Sequence, residues 1–192
     1  MDNKRLSDDT ALNEEQISSQ TIYSGRIIDV CLDDVRLPDG KASQREYVKH
    51  RGGACILAVD DDDSVYLVRQ YRYPYGEVIA EIPAGKLESG EEPAVTAARE
   101  LEEEVGVKAE HILPYGILYP TPGYTNERIY VFLATKLKKS RTHFDDEEFI
   151  NVVKMPFTEL LEKVIKGEIH DAKTCYATLK YAVEARKSAL FL

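Results

Sequence analysis

The segment from Glu92 to Val105 constrains this chain more than any other. Pro93 near its start and Gly106 just past its end mark the boundaries of a helix. At about 100° per residue, Glu100, Glu103 and Glu104 fall within roughly one third of the circumference. Ala94, Ala98, Leu101 and Val105 fall on the opposite side, and Glu102 lies away from the other three carboxylates. Such a helix has to lie on an apolar support with its acidic face turned away. Like charges spaced i,i+4 destabilise a helix by a few tenths of a kcal/mol. A hard divalent cation converts that repulsion into binding, because Mg²⁺ favours carboxylate oxygens and phosphate. A Glu-rich helix can equally be a solvated face, and the helix alone leaves both readings open.

The support is legible on either side. Residues 1–19 are polar and read as a loose tail or short helix. Residues 20–50 read as antiparallel strands: Ile27 to Leu32 leads into the turn Pro38-Asp39-Gly40, and Ser43 to Lys49 returns. Proline presets φ in such a turn and glycine tolerates positive φ. A sheet of three short strands cannot bury both faces, so this piece needs a partner surface and reads as a dimerisation element. Residues 51–192 form the main domain. Its strands are expected at Ala54–Val59, Val65–Tyr71, Ile112–Tyr119, Arg128–Lys136 and Phe149–Met155, and its closing helices at Phe157–Lys166 and Ala172–Ala189. Strands first, with a helix between them, suggest an α/β or α+β sandwich rather than a regular βαβ series. The aspartates at 60–63 read as a solvated hairpin turn. The glycine of a calcium-binding EF-hand loop is replaced by Val65, and its closing glutamate by Tyr71.

Charge and cysteine usage exclude several classes. With 34 acidic against 25 basic residues, the net charge of −9 argues against a nucleic-acid or anionic-membrane binder and suits an enzyme that gathers divalent cations. Cys31, Cys55 and Cys175 form no CxxC pair, which suggests a reducing compartment. No secretory h-region or membrane-length apolar run is visible, so a cytoplasmic location is expected. The four histidines show no metal spacing, and no nucleophile elbow, P-loop or dinucleotide fingerprint is present.

Gly85, Glu91 and Arg99 decide between the two readings of the acidic helix. From Gly85 to Val107 the chain reads Gly, five residues, Glu91, seven residues, Arg99-Glu100, an apolar residue, any residue, Glu103-Glu104, any residue, Gly106, an apolar residue. This resembles the Nudix box at every specified position. A chance match is on the order of one in 10⁹ per start position. The resemblance implies a Nudix α/β/α sandwich with a mixed sheet and an added N-terminal antiparallel sheet. It also implies a hydrolase of nucleoside diphosphates linked to another moiety, using Mg²⁺ or Mn²⁺. Carried over by position, Glu100 and Glu104 would be the principal metal ligands, Glu103 an accessory one and the Ala84 carbonyl a backbone ligand. Arg99 and Glu91 would form a buried orienting pair, and Gly85 and Gly106 would supply backbone freedom.

Tyr119-Pro-Thr-Pro122-Gly-Tyr-Thr-Asn-Glu127, with Pro122 sixteen residues past Gly106, is similar to the proline signature of the ADP-ribose pyrophosphatase branch. So are Val68-Arg-Gln-Tyr-Arg72, Glu81-Ile-Pro-Ala-Gly85, Ser43-Gln-Arg-Glu46-Tyr-Val and Gly167-Glu-Ile-His-Asp171-Ala-Lys-Thr. That branch implies a homodimer cleaving ADP-ribose to AMP and ribose 5-phosphate. Arg72 would grip phosphate. Arg45, with Ile27 across the subunit boundary, would sandwich the adenine, and Glu46 would accept a hydrogen bond from the base. Glu148, in the acidic loop Asp145–Glu148, would take the proton of the attacking water. Relatives that surround the base with tryptophan differ from this chain, which has none. Hydrolysis of a GDP-hexose or UDP-sugar is the nearest rival expectation, and a Nudix-fold ligand sensor with little turnover is a more distant one.

Overall fold

The computed structural model describes residues 12–142 and 149–190, with side chains as far as residue 186. The chain divides into two units, and Glu148 lies outside the described residues.

The first unit holds the described residues up to His50 together with Thr121–Glu127. Its strands β1 (Glu15–Ser24), β2 (Ile28–Arg36) and β3 (Ala42–His50) form one antiparallel sheet in the order β1-β2-β3. The Pro38–Gly40 turn joins β2 to β3 through Leu37 N–H to the Lys41 carbonyl at 2.8 Å. The polar stretch at residues 15–19, expected as tail or helix, is strand. Every residue of β1 is exposed, so burial does not fix it. Gln16 instead donates to Asp33 at 2.6 Å, and Ser18 to Asp34 at 2.7 Å, supplementing the backbone ladder. Residues 121–127 join this unit because Val48 N–H reaches the Tyr124 carbonyl at 2.7 Å and Asn126 N–H the Val48 carbonyl at 3.2 Å.

The second unit is organised by β4 (Gly53–Ala58), in which every residue is buried. Alternation sends its side chains into two cores. Cys55 and Leu57 pack with Leu67, Val131, Leu160, Ile169 and Ala177, whereas Ala54, Ile56 and Ala58 pack with Val68, Ala97, Leu101, Val105 and Phe132. The next elements are β5 (Ser64–Arg72), β6 (Glu77–Glu81), β7 (Ala84–Lys86), α1 (Pro93–Glu100), a π-helical turn at Leu101–Val105, β8 (Val107–Leu118), β9 (Ile129–Lys139), β10 (Ile150–Pro156), α2 (Phe157–Ile165) and α3 (Ala172–Leu190). One sheet has the order β7-β4-β9-β8, with β4 and β9 parallel and the other pairs antiparallel. A second, antiparallel, has the order β10-β5-β6. The core on one side of β4 is closed by α1 and the π turn, and that on the other by α2 and α3. This is the α/β/α sandwich with a mixed sheet that the sequence implies. Among the described residues no helix is long and apolar enough to cross a membrane.

Three local differences matter. The short strands β6 and β7 were not expected. The Asp60–Asp63 turn is held by cations, with Lys154 donating to Asp60 at 2.8 Å and to Asp62 at 3.0 Å. The helix expected to run unbroken from Glu92 to Val105 widens into a π turn after Glu100, a feature common at functional sites. Its core-facing residues are Thr96, Ala97, Leu101 and Val105, and Ala94 is exposed.

This phase has a direct test. Ala97→Leu should overpack the α1 core and destabilise the protein by about 1–3 kcal/mol. Ala94→Leu should stay within about 0.5 kcal/mol of the parent. Urea unfolding midpoints measure both, and the opposite ranking would place the helix in the wrong phase.

Candidate active site

A single arginine organises the acidic helix. Arg99, in the last turn of α1, donates from Nη1 to Glu100 Oε1 and to Glu103 Oε2, both at 2.8 Å. Its Nε reaches Glu91 Oε1 at 3.1 Å and its Nη2 reaches Glu91 Oε2 at 3.3 Å. The guanidinium thus forks onto one carboxylate and bridges two others, the planar multidentate recognition that lysine cannot provide. Glu91 is held further by the Glu88 N–H at 3.2 Å. The hydrogen bonds from Arg99 hold the Glu91 carboxyl at about 2, against an ordinary 4.5. Those carboxylates in turn carry Arg99 well above its usual range.

Glu104 is only 3 % exposed. Its Oε2 accepts the backbone N–H of Ala84 at 3.1 Å, joining the π turn to the start of β7. Ala84 therefore meets the acidic cluster through its amide. Gly85 sits against Glu100, where an added Cβ would lie 1.7 Å from Oε1. Close approach, rather than the backbone freedom expected from the sequence, is what requires glycine there. Gly106 does adopt the left-handed conformation, with φ 75°, and it terminates the π turn. Glu102 points elsewhere, as its spacing implies, and accepts from Ser140 Oγ at 2.6 Å.

The donor set fits a hard divalent cation. The available oxygens are carboxylates, and Arg99 Nη1 already acts as a stand-in cation between Glu100 and Glu103. Among the described residues no three acidic, His or Cys side chains are gathered as a ready metal cage. Glu100 and Glu103 turn to the guanidinium, and Glu104 turns to the Ala84 amide. Burial pushes the Cys55 thiol up to about 12, which removes it as a thiolate nucleophile.

The other expected residues are distributed as follows. Arg72 ends β5 in the second unit, with Nε and Nη2 on Glu81 Oε1, both at 2.7 Å. Ile27, Arg45, Glu46 and Pro122 belong to the first unit. Ile27 is exposed beside the β1–β2 turn, and Pro122 is exposed in the 121–127 turn. Arg45, on β3, donates from Nε to Glu14 Oε2 at 2.9 Å and from Nη1 to the Gln44 carbonyl at 2.8 Å. Its guanidinium is thus in a surface ion pair. Glu46 is exposed on the same strand. Arg72's partner Glu81, with Lys173 and Asp171 behind it, has no role implied by the sequence: Lys173 Nζ donates to Glu81 and, at 2.8 Å, to Asp171. The available signal was an acidic residue, Glu81, between the apolar Ala80 and Ile82.

Residues 49–176 match the family described as the NUDIX domain, and residues 14–48 match the Nucleoside diphosphate sugar hydrolase N-terminal domain. The chain is 44 % identical over 183 residues to the ADP-ribose pyrophosphatase of Bacillus subtilis (strain 168), covering 92 % of this chain and 99 % of that protein. It is 39 % identical over 166 residues to the methanol dehydrogenase activator of Bacillus methanolicus, covering 85 % and 90 %. A solved structure described as an ADP compounds hydrolase superposes with a TM-score of 0.77 at 21 % identity, covering 92 % of this chain and 97 % of that one, and shares the fold.

The Glu91–Arg99 pair gives a pH-dependent expectation. A carboxylate whose folded pKa is depressed adds stability that is present above its unfolded value and is lost as pH falls through the folded one. Glu91→Gln should therefore be less stable than the parent at neutral pH. The gap should close as pH falls from about 4.5 towards about 2. Metal-free urea midpoints across that range measure it, and a gap independent of pH would contradict the pairing.

Proposed function

This chain belongs to the Nudix family, and from that premise we propose that it hydrolyses the pyrophosphate of ADP-ribose, giving AMP and ribose 5-phosphate. The observation that carries the reading is the cluster around Arg99, with Glu91, Glu100 and Glu103 on one guanidinium and Glu104 tied to Ala84. The near full-length similarity to an ADP-ribose pyrophosphatase selects the substrate.

In this reading Glu100, Glu103 and Glu104 hold Mg²⁺ or Mn²⁺, with the Ala84 carbonyl as a further ligand. A bound ion would supply charge neutralisation at the pyrophosphate and would make water more acidic. Arg99 and Glu91 fix the direction of the helix carboxylates. Arg72 binds a phosphate oxygen through donors that Glu81 does not use. Water adds its oxygen to one phosphorus while the bridging P–O bond breaks, and Glu148 takes the proton. Glu148 is preferred to the box glutamates because their oxygens are committed elsewhere. Ile27, Arg45, Glu46 and Pro122 are the proposed contacts to the nucleoside end. For Arg45 this means exchanging Glu14 for the base.

We further infer a homodimer in the cytoplasm. Ile17, Ile22 and Tyr23 on β1 are all more than half exposed, an apolar set that a second subunit would cover. The free cysteines suit a reducing compartment.

With Mg²⁺, ADP-ribose should be cleaved with a higher kcat/KM than any nucleoside triphosphate or GDP- or UDP-sugar, with AMP and ribose 5-phosphate identified as products. Preference for another nucleotide sugar would move the chain to a different substrate within the family. Glu104→Gln should remain folded, with kcat lowered by roughly 10²–10³-fold or more, as expected for lost transition-state charge stabilisation. Near-normal turnover in that variant would remove Glu104 from the metal site.

A further inference from the structure

The second unit contains a buried ionic cluster on the chain that supplies Arg72. Four charged side chains meet there. Glu81, at the end of β6, is 3 % exposed, Lys173 on α3 is 11 % exposed, and Asp171 just before α3 is 15 % exposed. Only Arg72, at 40 %, reaches well into solvent. Lys173 Nζ donates to Glu81 Oε2 and to Asp171 Oδ1, and Arg72 places Nε and Nη2 on Glu81 Oε1. Asp171 is fixed in turn by the Thr174 N–H at 2.9 Å and the Thr174 hydroxyl at 2.5 Å. Thr174 Oγ1 accepts the N–H of Ile82, the residue after Glu81, at 2.8 Å. The cluster is thus closed on itself, with all its buried carboxylate oxygens occupied.

Two features separate this arrangement from an ordinary structural ion pair. Lys173 has Asp171 as a partner, so Glu81 is not needed to neutralise it. Replacing a whole buried ion pair by apolar residues is often neutral or stabilising, whereas removing one partner is costly, so the presence of such a cluster is not by itself a sign of stability. Second, Arg72 stands opposite a different carboxylate in the β5–β6 ladder. Its cross-strand partner is Glu77, whereas Glu81 is registered with Val68. Directly opposed residues are the ordinary partners on one sheet face. The Arg72 side chain instead runs back along the sheet to Glu81. Burial lowers the Arg72 pKa, but the Glu81 hydrogen bonds and the Glu81, Glu104 and Asp171 charges outweigh it and raise the value above its ordinary range. Glu81, which holds Arg72, lies three residues before Ala84, whose N–H is bound by Glu104 Oε2, so the cluster and the acidic turn flank one short segment.

We propose that Glu81 is a positioning residue: clamped from behind by Lys173, it holds the Nε and Nη2 edge of Arg72 so that the remaining guanidinium edge is aimed at a substrate phosphate beside the Glu100–Glu104 turn. The inference rests on the reading of Arg72 as a phosphate contact. Lys173 and Asp171 act through Glu81, linking α3 to the site, and none of the three needs to touch substrate. Holding one face of the guanidinium removes rotamer freedom before the ligand arrives, and a preorganised donor loses less entropy on binding.

A double-mutant cycle on the full chain tests it. Glu81→Gln, Arg72→Ala and the double variant are compared with the parent for ADP-ribose hydrolysis with Mg²⁺. Glu81→Gln should raise KM roughly tenfold while changing kcat far less, the pattern of lost uniform binding. Added to Arg72→Ala, it should change kcat/KM by less than about twofold, because the two act as one unit. Additive losses, or parental KM in Glu81→Gln, overturn the proposal. Should Glu81→Gln fail to fold, Arg72→Lys carries the test. It keeps the charge but loses the fork on Glu81, so its KM should match that of Arg72→Ala, and parental KM overturns the proposal. Calorimetric binding of inorganic pyrophosphate across the same proteins needs no turnover. Pyrophosphate binding that shows the predicted non-additivity across the cycle, in a parent protein that does not cleave ADP-ribose, would count against the proposed substrate and leave Glu81's role standing. A silent Arg72→Ala in both assays would instead remove the phosphate contact and, with it, this inference.

Discussion

Glutamates crowded on one helical turn repel one another unless a cation stands among them, and in this structure Arg99 is that cation between Glu100 and Glu103. The rest of the site depends on it. Arg99 takes Glu100 and Glu103 on one nitrogen and Glu91 on the other two, so residues from both ends of the box converge on one guanidinium. With Glu100 turned in this direction, its carboxylate fills the place where a side chain on residue 85 would be, and only glycine fits there. Glu104, one helical turn on, finds the Ala84 amide. Helix and loop are thus locked by charge and by the absence of a Cβ.

The lock is mounted on β4. Because that strand is buried on both faces, the residues on its two sides report to different helices: α1 and the π turn on one, α2 and α3 on the other. The ionic cluster of Glu81, Lys173 and Asp171 joins α3 to the end of β6, three residues before β7 pairs with β4. Two charged assemblies, one open to exchange and one closed, are therefore carried by a common rigid support. Sites held on such elements are better preorganised than sites held on loops.

Much of this was legible in the sequence, and the parts that were not share a cause. The strand β4 and the helix after Pro93 announce themselves by local pattern, as does the Glu91–Arg99 pairing through the resemblance. The strand at Glu15–Ser24 does not, because it is polar and fully exposed and owes its place to β2. β6 and β7 have five and three residues, too short for alternation to register. The π turn after Glu100 is backbone geometry that an ideal 100° wheel cannot contain, and Ala94, in the first turn of α1, is exposed whereas Ala97, one turn nearer Leu101, is buried. The Lys173–Glu81 pair spans 92 positions. A contact of that range leaves no periodic trace, only an acidic residue in apolar company. At Gly85 the motif spacing implies torsional freedom, whereas the structure demands space, because a Cβ there would meet the Glu100 carboxylate.

The stand-in role of Arg99 also explains why Glu91 belongs to the site although it lies outside the acidic turn. If Glu100 and Glu103 turned from the guanidinium to a divalent cation, an arginine with no other partner would be left partly buried and uncompensated, which is costly. Arg99 would still have the two-pronged contact with Glu91, made through Nε and Nη2 and independent of Nη1. Only the Nη1 bonds need be exchanged, one cation for another, while the fork stays made. Since Glu91 is itself tied to the Glu88 amide, that contact would hold the guanidinium in its plane through such an exchange. Under the proposed metal assignment, the helix would then exchange an arginine bridge for a cation bridge without leaving Arg99 unpaired.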